Sequence, residues 1–279
     1  MPTDRELALK SIIYRRELLR IIKNAGAGHT GGSLSCIDII SVLYNRILRV
    51  SPATISDPDR DRYVQSKGHS VEALYVVLAD MGFFPRQLLD TLGRAGSHFV
   101  GHPTRKVPGI EHNTGALGHG MPVAVGMALG ARLRKSAFRT FVLVGDGELA
   151  EGSNWEAAMA ASHYRLDSLT AVIDCNSLQI SGRTSSVMNS EPIDEKFAAF
   201  GWAVRRVDGH DFAALAEALK APLAPGRPSA VIASTVKGKG VSFMEDAASW
   251  HHGVPDDAQY RSAMAELDAR LAALGGEAP

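Results

Sequence analysis

FVLVGDG at residues 141–147 and LTAVIDCN at residues 169–176 decide the fold of this chain. Each is a short apolar run with the length and composition of a buried strand, and each ends in polar residues. The first ends in Gly145-Asp146-Gly147 and the second in Asp174-Cys175-Asn176. Asn176 follows Asp146 by 30 positions, the length of one strand–helix–strand crossover, so the two strand ends can be neighbours. In open α/β sheets ligands gather at the carboxyl ends of the strands. A carboxylate, an amide and a backbone carbonyl, completed by diphosphate oxygens and water, make an octahedral magnesium shell. Gly-Asp-Gly alone occurs in ordinary turns; the asparagine at the end of a second strand gives it weight.

Outward from this pair, two more apolar runs read as strands, at 202–207 and 230–233. Helical patterns at 152–164, 191–200 and 211–220 lie between the strands, so the expected fold class is α/β, a parallel sheet with helices on both faces. Upstream, an amphipathic helix fills the first 25 residues, with Leu7, Leu18, Ile21 and Ile22 on its apolar stripe, and stops near Gly26 and Gly28. A second helix is expected after Ser35, a loop over 51–62, and a helix from Val71 to Met81 closed by Gly82. Residues 93–122 carry many Gly, Pro and His, and a structured loop of that length is usually functional. A polar, Ala-rich helix closes the chain. The organisation expected is one α/β domain over 1–255 and a helical extension over 256–279 that could reach a partner. Arg15, Arg16 and Lys135 read as solvated faces.

The balance of charge excludes several classes of function. Among 279 residues there are 30 basic and 30 acidic side chains, so no net field draws the chain to nucleic acid or to an acidic membrane. No apolar run approaches the ~20 residues of a membrane span. Cys36 and Cys175 both lie in apolar surroundings and read as buried thiols, which fits a reducing cytoplasm, as does the lack of a signal-peptide core after Met1.

Several of the ten histidines have a glycine neighbour, among them His29, His69, His102, His119 and His252. Glycine lets a loop bring imidazole close to a ligand, and imidazole both gives and takes protons near neutral pH. Such a series suits a polyhydroxylated substrate, whose oxygens exchange protons repeatedly. Zinc is the rival explanation, but no Cys-x-x-Cys or His-Glu-x-x-His spacing is present.

The chain resembles the thiamine-diphosphate enzymes in its Gly-Asp-Gly and distal Asn. Within them it resembles the transketolase family, through GHTGGSLSCIDI at 28–39, DRDRYVQSKGH at 59–69, VGHPTRKVPG at 100–109, TGALGHG at 114–120, GDGELAEG at 145–152 and SWHHGVP at 249–255. The resemblance implies a cofactor, thiamine diphosphate, with Mg2+ or another divalent cation such as Ca2+ or Mn2+. It implies metal ligands at Asp146, Asn176 and the carbonyl of Leu178. Gly145 and Gly147 flank that site, Ile180 packs on the thiazolium ring, and His69, Lys67 and Lys237 serve the diphosphate. The backbone from Gly115 to Leu117 holds the aminopyrimidine, and Glu151 links paired active sites. His29 and His252 help remove the proton of the substrate's C3 hydroxyl, and His102 binds the donor's C1 hydroxyl. His252 is preferred to His251 because the family's histidine directly precedes glycine. His119 stands where glutamine is common and Thr30 where proline is frequent; His119 has no assigned role.

The resemblance also implies what is missing. Single-chain members are more than twice this long, and the glutamate that activates the cofactor lies on a second domain with no counterpart here. Native-looking ends favour a natural subunit over an excised domain. The expectation is therefore the N-terminal subunit of a split transketolase. Its partner would be a separate C-terminal subunit carrying the pyrimidine-binding domain, in a heterotetramer. It would move a two-carbon ketol unit between sugar phosphates, without contact with nucleic acid or membrane. The alternatives are a subunit of another thiamine enzyme of the 2-oxo acid dehydrogenase type, which lacks this histidine series, a non-catalytic regulatory subunit, and an unspecific magnesium hydrolase.

Overall fold

A computed structural model describes residues 1–276. Thr3 and Glu6 form a capping box that starts α1 (Asp4–Ala25), and Gly26, at φ 68°, ends it. Leu7, Leu18, Leu19, Ile21 and Ile22 are buried along its inner face. The next helix, α2 (Thr30–Val42), begins five residues before Ser35, the residue after which it was expected, and is buried along its whole length. Gly31 and Gly32 hide this start because glycine disfavours helix. Tertiary contact overrides that preference: a Cβ on Gly31 would lie 3.0 Å from the carbonyl oxygen of Trp250.

A strand not expected from the sequence, β1 (Arg62–Gln65), follows the 51–61 connection. Four residues with Arg and Gln at the ends carry too little period to be read. After it come α3 (Val71–Asp80), a long irregular stretch, α4 (Gly120–Arg134), β2 (Thr140–Gly145), α5 (Gly152–His163) and β3 (Leu169–Cys175). A small hairpin, β4 (Leu178–Gln179) and β5 (Gly182–Arg183), precedes the single turn α6 (Thr184–Val187). Then follow α7 (Ile193–Ala199), β6 (Ala203–Asp208), α8 (Phe212–Leu219), β7 (Ser229–Ser234) and α9 (Asp257–Ala273). The five long strands form one all-parallel sheet in the order β1-β2-β3-β7-β6.

Alternation along the strands builds two cores. Phe141, Leu143, Val172, Val231 and Ala233 face the layer that contains α1, α2, α3 and α8. Val142, Val144, Ala171, Ile173, Ala230 and Ile232 face α4, α5 and α7. Helices therefore cover both faces, as parallel sheets require.

Arg15 is not on a solvated face. It is buried, and its Nη1 and Nη2 each donate to the Asp38 carboxylate at 2.8 Å. Its Nε donates to the carbonyl of Lys239 at 2.8 Å, and His210 Nδ1 meets Asp38 at 2.8 Å. Arg16 pairs with Asp268 on α9, so it too is engaged, whereas Lys135 is exposed at the end of α4. Asp256 and Gln259 cap α9, which lies along α1 with Ala263, Leu267 and Leu271 buried. Of the expected extension, residues 277–279 lie outside those described. No described helix is long and apolar enough to cross a membrane.

Two measurements follow from this packing. Arg15→Ala takes the guanidinium from the buried Asp38 and should cost about 3–5 kcal/mol in urea unfolding. Leu267→Ala should cost about 2–5 kcal/mol in the same assay, since α9 is part of the core rather than a tail.

Candidate active site

The tips of β2 and β3 are adjacent, with Gly145 opposite Asp174 and the Asp146 N–H donating to the Asp174 carbonyl at 3.2 Å. The Asp146 carboxylate accepts from the N–H of Gly147 at 2.8 Å and of Ser177 at 2.6 Å. Asn176 Oδ1 accepts from the N–H of Leu178 at 3.1 Å, which curls the chain back toward the tip of β3. Burial pushes the Asp146 carboxyl up to about 6, and the Asp174 carboxylate adds to the rise. Asp146 has no cation among its hydrogen-bonding partners, so a buried acid with open lone pairs sits beside an amide and the Leu178 backbone. That donor set fits a hard dication with oxygen ligands.

Two buried ammonium groups stand behind it. Lys67 pairs with Asp174 and donates to the carbonyl of Gly32 at 3.1 Å. Burial alone would lower its pKa, but the Asp174 carboxylate more than reverses this and holds Lys67 charged. Lys237 donates to the carbonyl of Leu178 at 3.1 Å and to His251 Nδ1 at 2.9 Å. Burial, then the charge of Lys67, brings Lys237 down to about 8.

Five imidazoles gather against these groups. His29 and His252 meet Nε2 to Nε2 at 2.9 Å, and the ring of His29 lies 5.4 Å from that of His69 and 5.9 Å from that of His102. His251 stacks on His69 at 5.3 Å. Burial, helped by His252 and His102, lowers His29 to about 4; burial and Lys237 lower His251 to about 3. Burial also depresses His69 and His102. The shifts favour the neutral form of these four rings, in which an imidazole has one donor and one acceptor nitrogen. Nδ1 of His29 is buried with no partner, which leaves one polar atom of the cluster free.

A cavity of about 390 Å3 joins the two halves of the site. Its lining contains His29, Lys67, His69, Gly115, Leu117, Gly145, Asp146, Gly147, Glu151, Asn176, Leu178, Ile180, Lys237 and His252, all singled out from the sequence. Ile180 and Glu151 are exposed at its rim. His102 is not part of the lining but packs against Gly115, where a Cβ would lie 2.8 Å from its ring and where φ is 140°. His119 stands apart, exposed, with Nδ1 2.9 Å from the carbonyl of Leu117.

The sequence reading weighed His251 against His252 and preferred the latter, and it missed other members. His251 reaches the cavity together with His252, so adjacent residues both contribute. Glu148 is buried and accepts from the N–H groups of Gly118 and Gly145, both at 3.0 Å, and from Ser66. It ties the tip of β2 to the loop that carries Gly115 and Leu117. Its only signal was its place inside GDGELAEG. Asp174 was quoted as part of a strand end, yet it holds Lys67, Ser35, Thr235 and Asn176.

Comparison with known proteins agrees with this geometry. Residues 10–267 match the family described as transketolase, thiamine diphosphate binding domain. An apulose-4-phosphate transketolase subunit of Phocaeicola vulgatus is 48% identical over 272 residues, 97% of each chain. Its namesake from Actinobacillus succinogenes is 44% identical, over 94% of this chain and 96% of its own. The 6-deoxy-6-sulfo-D-fructose transketolase subunit SqwG of a Clostridium species is 41% identical, again over 94% and 96%. The crystal structure of Campylobacter jejuni transketolase superposes with a TM-score of 0.89 at 28% identity, covering 99% of this chain but 44% of that one. The fold, the matched motifs and relatives of equal length lead to one conclusion: this chain belongs to the transketolase family, in which it corresponds to the thiamine-diphosphate-binding N-terminal part.

Proposed function

We propose that the chain is the N-terminal subunit of a split transketolase. Together with a separate C-terminal subunit carrying the pyrimidine-binding domain, it would transfer a two-carbon ketol unit from a ketose phosphate to an aldose phosphate. The observation that carries this reading is the pair of adjacent strand tips, Asp146 and Asn176, opening on the same cavity as the imidazole cluster. Relatives of equal length that are themselves named as transketolase subunits support the division into two chains. The assembly proposed is a heterotetramer, two copies of each subunit. A cytoplasmic location fits the two free, buried thiols.

Asp146, Asn176 and the carbonyl of Leu178 would hold Mg2+, or Ca2+ or Mn2+ in its place, and His69, Lys67 and Lys237 would face the diphosphate. When bound, thiamine diphosphate would supply a nucleophilic carbon and a cationic ring that takes up the electron pair of the broken carbon–carbon bond. The chain's own residues would bind and orient the reactants. The backbone of Gly115 to Leu117 would hold the aminopyrimidine, and Ile180 would lie against the thiazolium. His102 would orient the donor through its C1 hydroxyl. His29 and His252 would take the proton of the C3 hydroxyl; at 2.9 Å apart, they can pass it between them. Glu151, at the rim, would face the neighbouring chain and couple paired sites.

For the donor, apulose 4-phosphate is the first candidate, because it is the sugar in the names of the two relatives at 48% and 44% identity.

The purified chain should show no ketol transfer alone and should gain it when mixed with its partner subunit, magnesium and thiamine diphosphate. Full activity of the single chain would overturn the split-site reading. In calorimetry of the mixed subunits, Asp146→Ala should abolish magnesium-dependent uptake of the cofactor. His252→Ala should leave that uptake intact and lower kcat by about 10²–10⁴-fold. An equal kcat loss in His251→Ala, with His252→Ala active, would move the role to the neighbouring ring.

A further inference from the structure

Glu72, in the first turn of α3, is buried, and no ammonium or guanidinium is among its partners. Other buried carboxylates have an evident reason to be there. Asp38, Asp174, Glu17 and Asp61 pair with Arg15, Lys67, Arg20 and Arg49, while Asp146 and Glu148 line the cavity. Glu72 does neither. Its Oε1 accepts from the main-chain N–H of His29 at 3.3 Å, and its Oε2 accepts from the Ser33 hydroxyl at 2.9 Å.

His29 is the N-cap of α2, and no side chain caps that helix from its own sequence. In a capping box the N-cap N–H is taken by a glutamate at the third helical position. Here that position is Gly32, where a Cβ would sit 3.4 Å from the His69 ring and 3.9 Å from Lys67 Nζ. A long acid there would run into the cluster. α3 supplies the glutamate instead, and Gly28 makes room for it, since a Cβ on Gly28 would lie 3.0 Å from Oε1. The start of α2 also favours a negative charge through its aligned peptide dipoles.

We propose that Glu72 is a positioning residue for His29: its ionised carboxylate fixes the 28–29 turn and so holds the His29 imidazole in the cluster. The role of His29 in transfer rests on the function proposed above; the hold on its backbone does not. Burial pushes the Glu72 carboxyl up to about 7, against the pull of its bonds from Ser33 and His29. His29 meets it through the main-chain N–H, and the titratable side chain that feels its charge is Tyr75 on α3, whose phenol is held by the carbonyls of Val100 and His102. As pH falls through neutrality Glu72 takes up a proton, its grip on the His29 N–H weakens, and the rate falls. The effect on stability has the opposite sign. A carboxyl raised above its unfolded value costs stability as pH rises from that value through about 7.

Glu72→Gln keeps the shape and an acceptor but cannot titrate. In the full chain labelled with 15N-histidine, the His29 amide resonance should move with pH around a midpoint near 7, and that movement should vanish in Glu72→Gln. No partner, cofactor or turnover is needed, so this result stands whatever becomes of the proposed activity. In the assembled enzyme at pH 8, Glu72→Gln should lower kcat by about ten- to a hundredfold. The component of its acid limb centred near pH 7 should also disappear, while its melting temperature rises. An acid limb and kcat identical to wild type, or a His29 amide that titrates alike in both proteins, would overturn the proposal. A lower melting temperature with an unchanged profile would leave Glu72 a structural residue and overturn it equally.

Discussion

The register of β2 against β3 governs the chemistry of this molecule. Parallel pairing sets Gly145 beside Asp174, so Asp146, one residue on, and Asn176, two residues on, both border the same cavity. Backbone N–H groups hold the Asp146 carboxylate and the Asn176 amide in place where they line that cavity with Leu178. A slip of one residue would send Asp146 to the opposite face of the sheet. The apolar burial on both sides of the strands resists that slip, since Val142 and Val144 belong to one core and Phe141 and Leu143 to the other.

Electrostatics divides the cavity into two regions. Around the strand tips, Lys67 is held charged by Asp174, and an acid sits uncompensated at Asp146. A short distance away the imidazoles of His29 and His251 are kept neutral by burial and by the nearby cations. A region of fixed charge suits an anionic group with a metal ion. A region of neutral donors and acceptors suits hydroxyl groups that must gain and lose protons at little cost.

Much of this was legible because polar residues at the ends of apolar runs are rare and their spacing is informative. The strand tips, the glycine-flanked histidines and the α/β alternation could all be read from single segments. What escaped was set by contacts between segments. The start of α2 was hidden by Gly31 and Gly32, which are needed for close packing and are poor helix formers. β1 was too short to show a period. Arg15 looked like any solvated cation until Asp38, 23 positions on, was seen to bury it. The ties of Glu148 to Gly118 and of Glu72 to His29 escaped because each carboxylate accepts a backbone N–H from a segment distant in the chain. A backbone donor has no letter in a sequence.

The buried arginine has a bearing beyond stability. Arg15 grips the carbonyl of Lys239, two residues after Lys237, while the Asp38 it also holds is tied to His210 on the loop after β6. The first helix, which contributes no atom to the cavity, thus anchors the segment that delivers one of its ammonium groups. Evolutionary change along α1 has a route to the placement of Lys237 at a distance from that helix, and an engineer seeking to shift that ammonium group has a lever well outside the pocket.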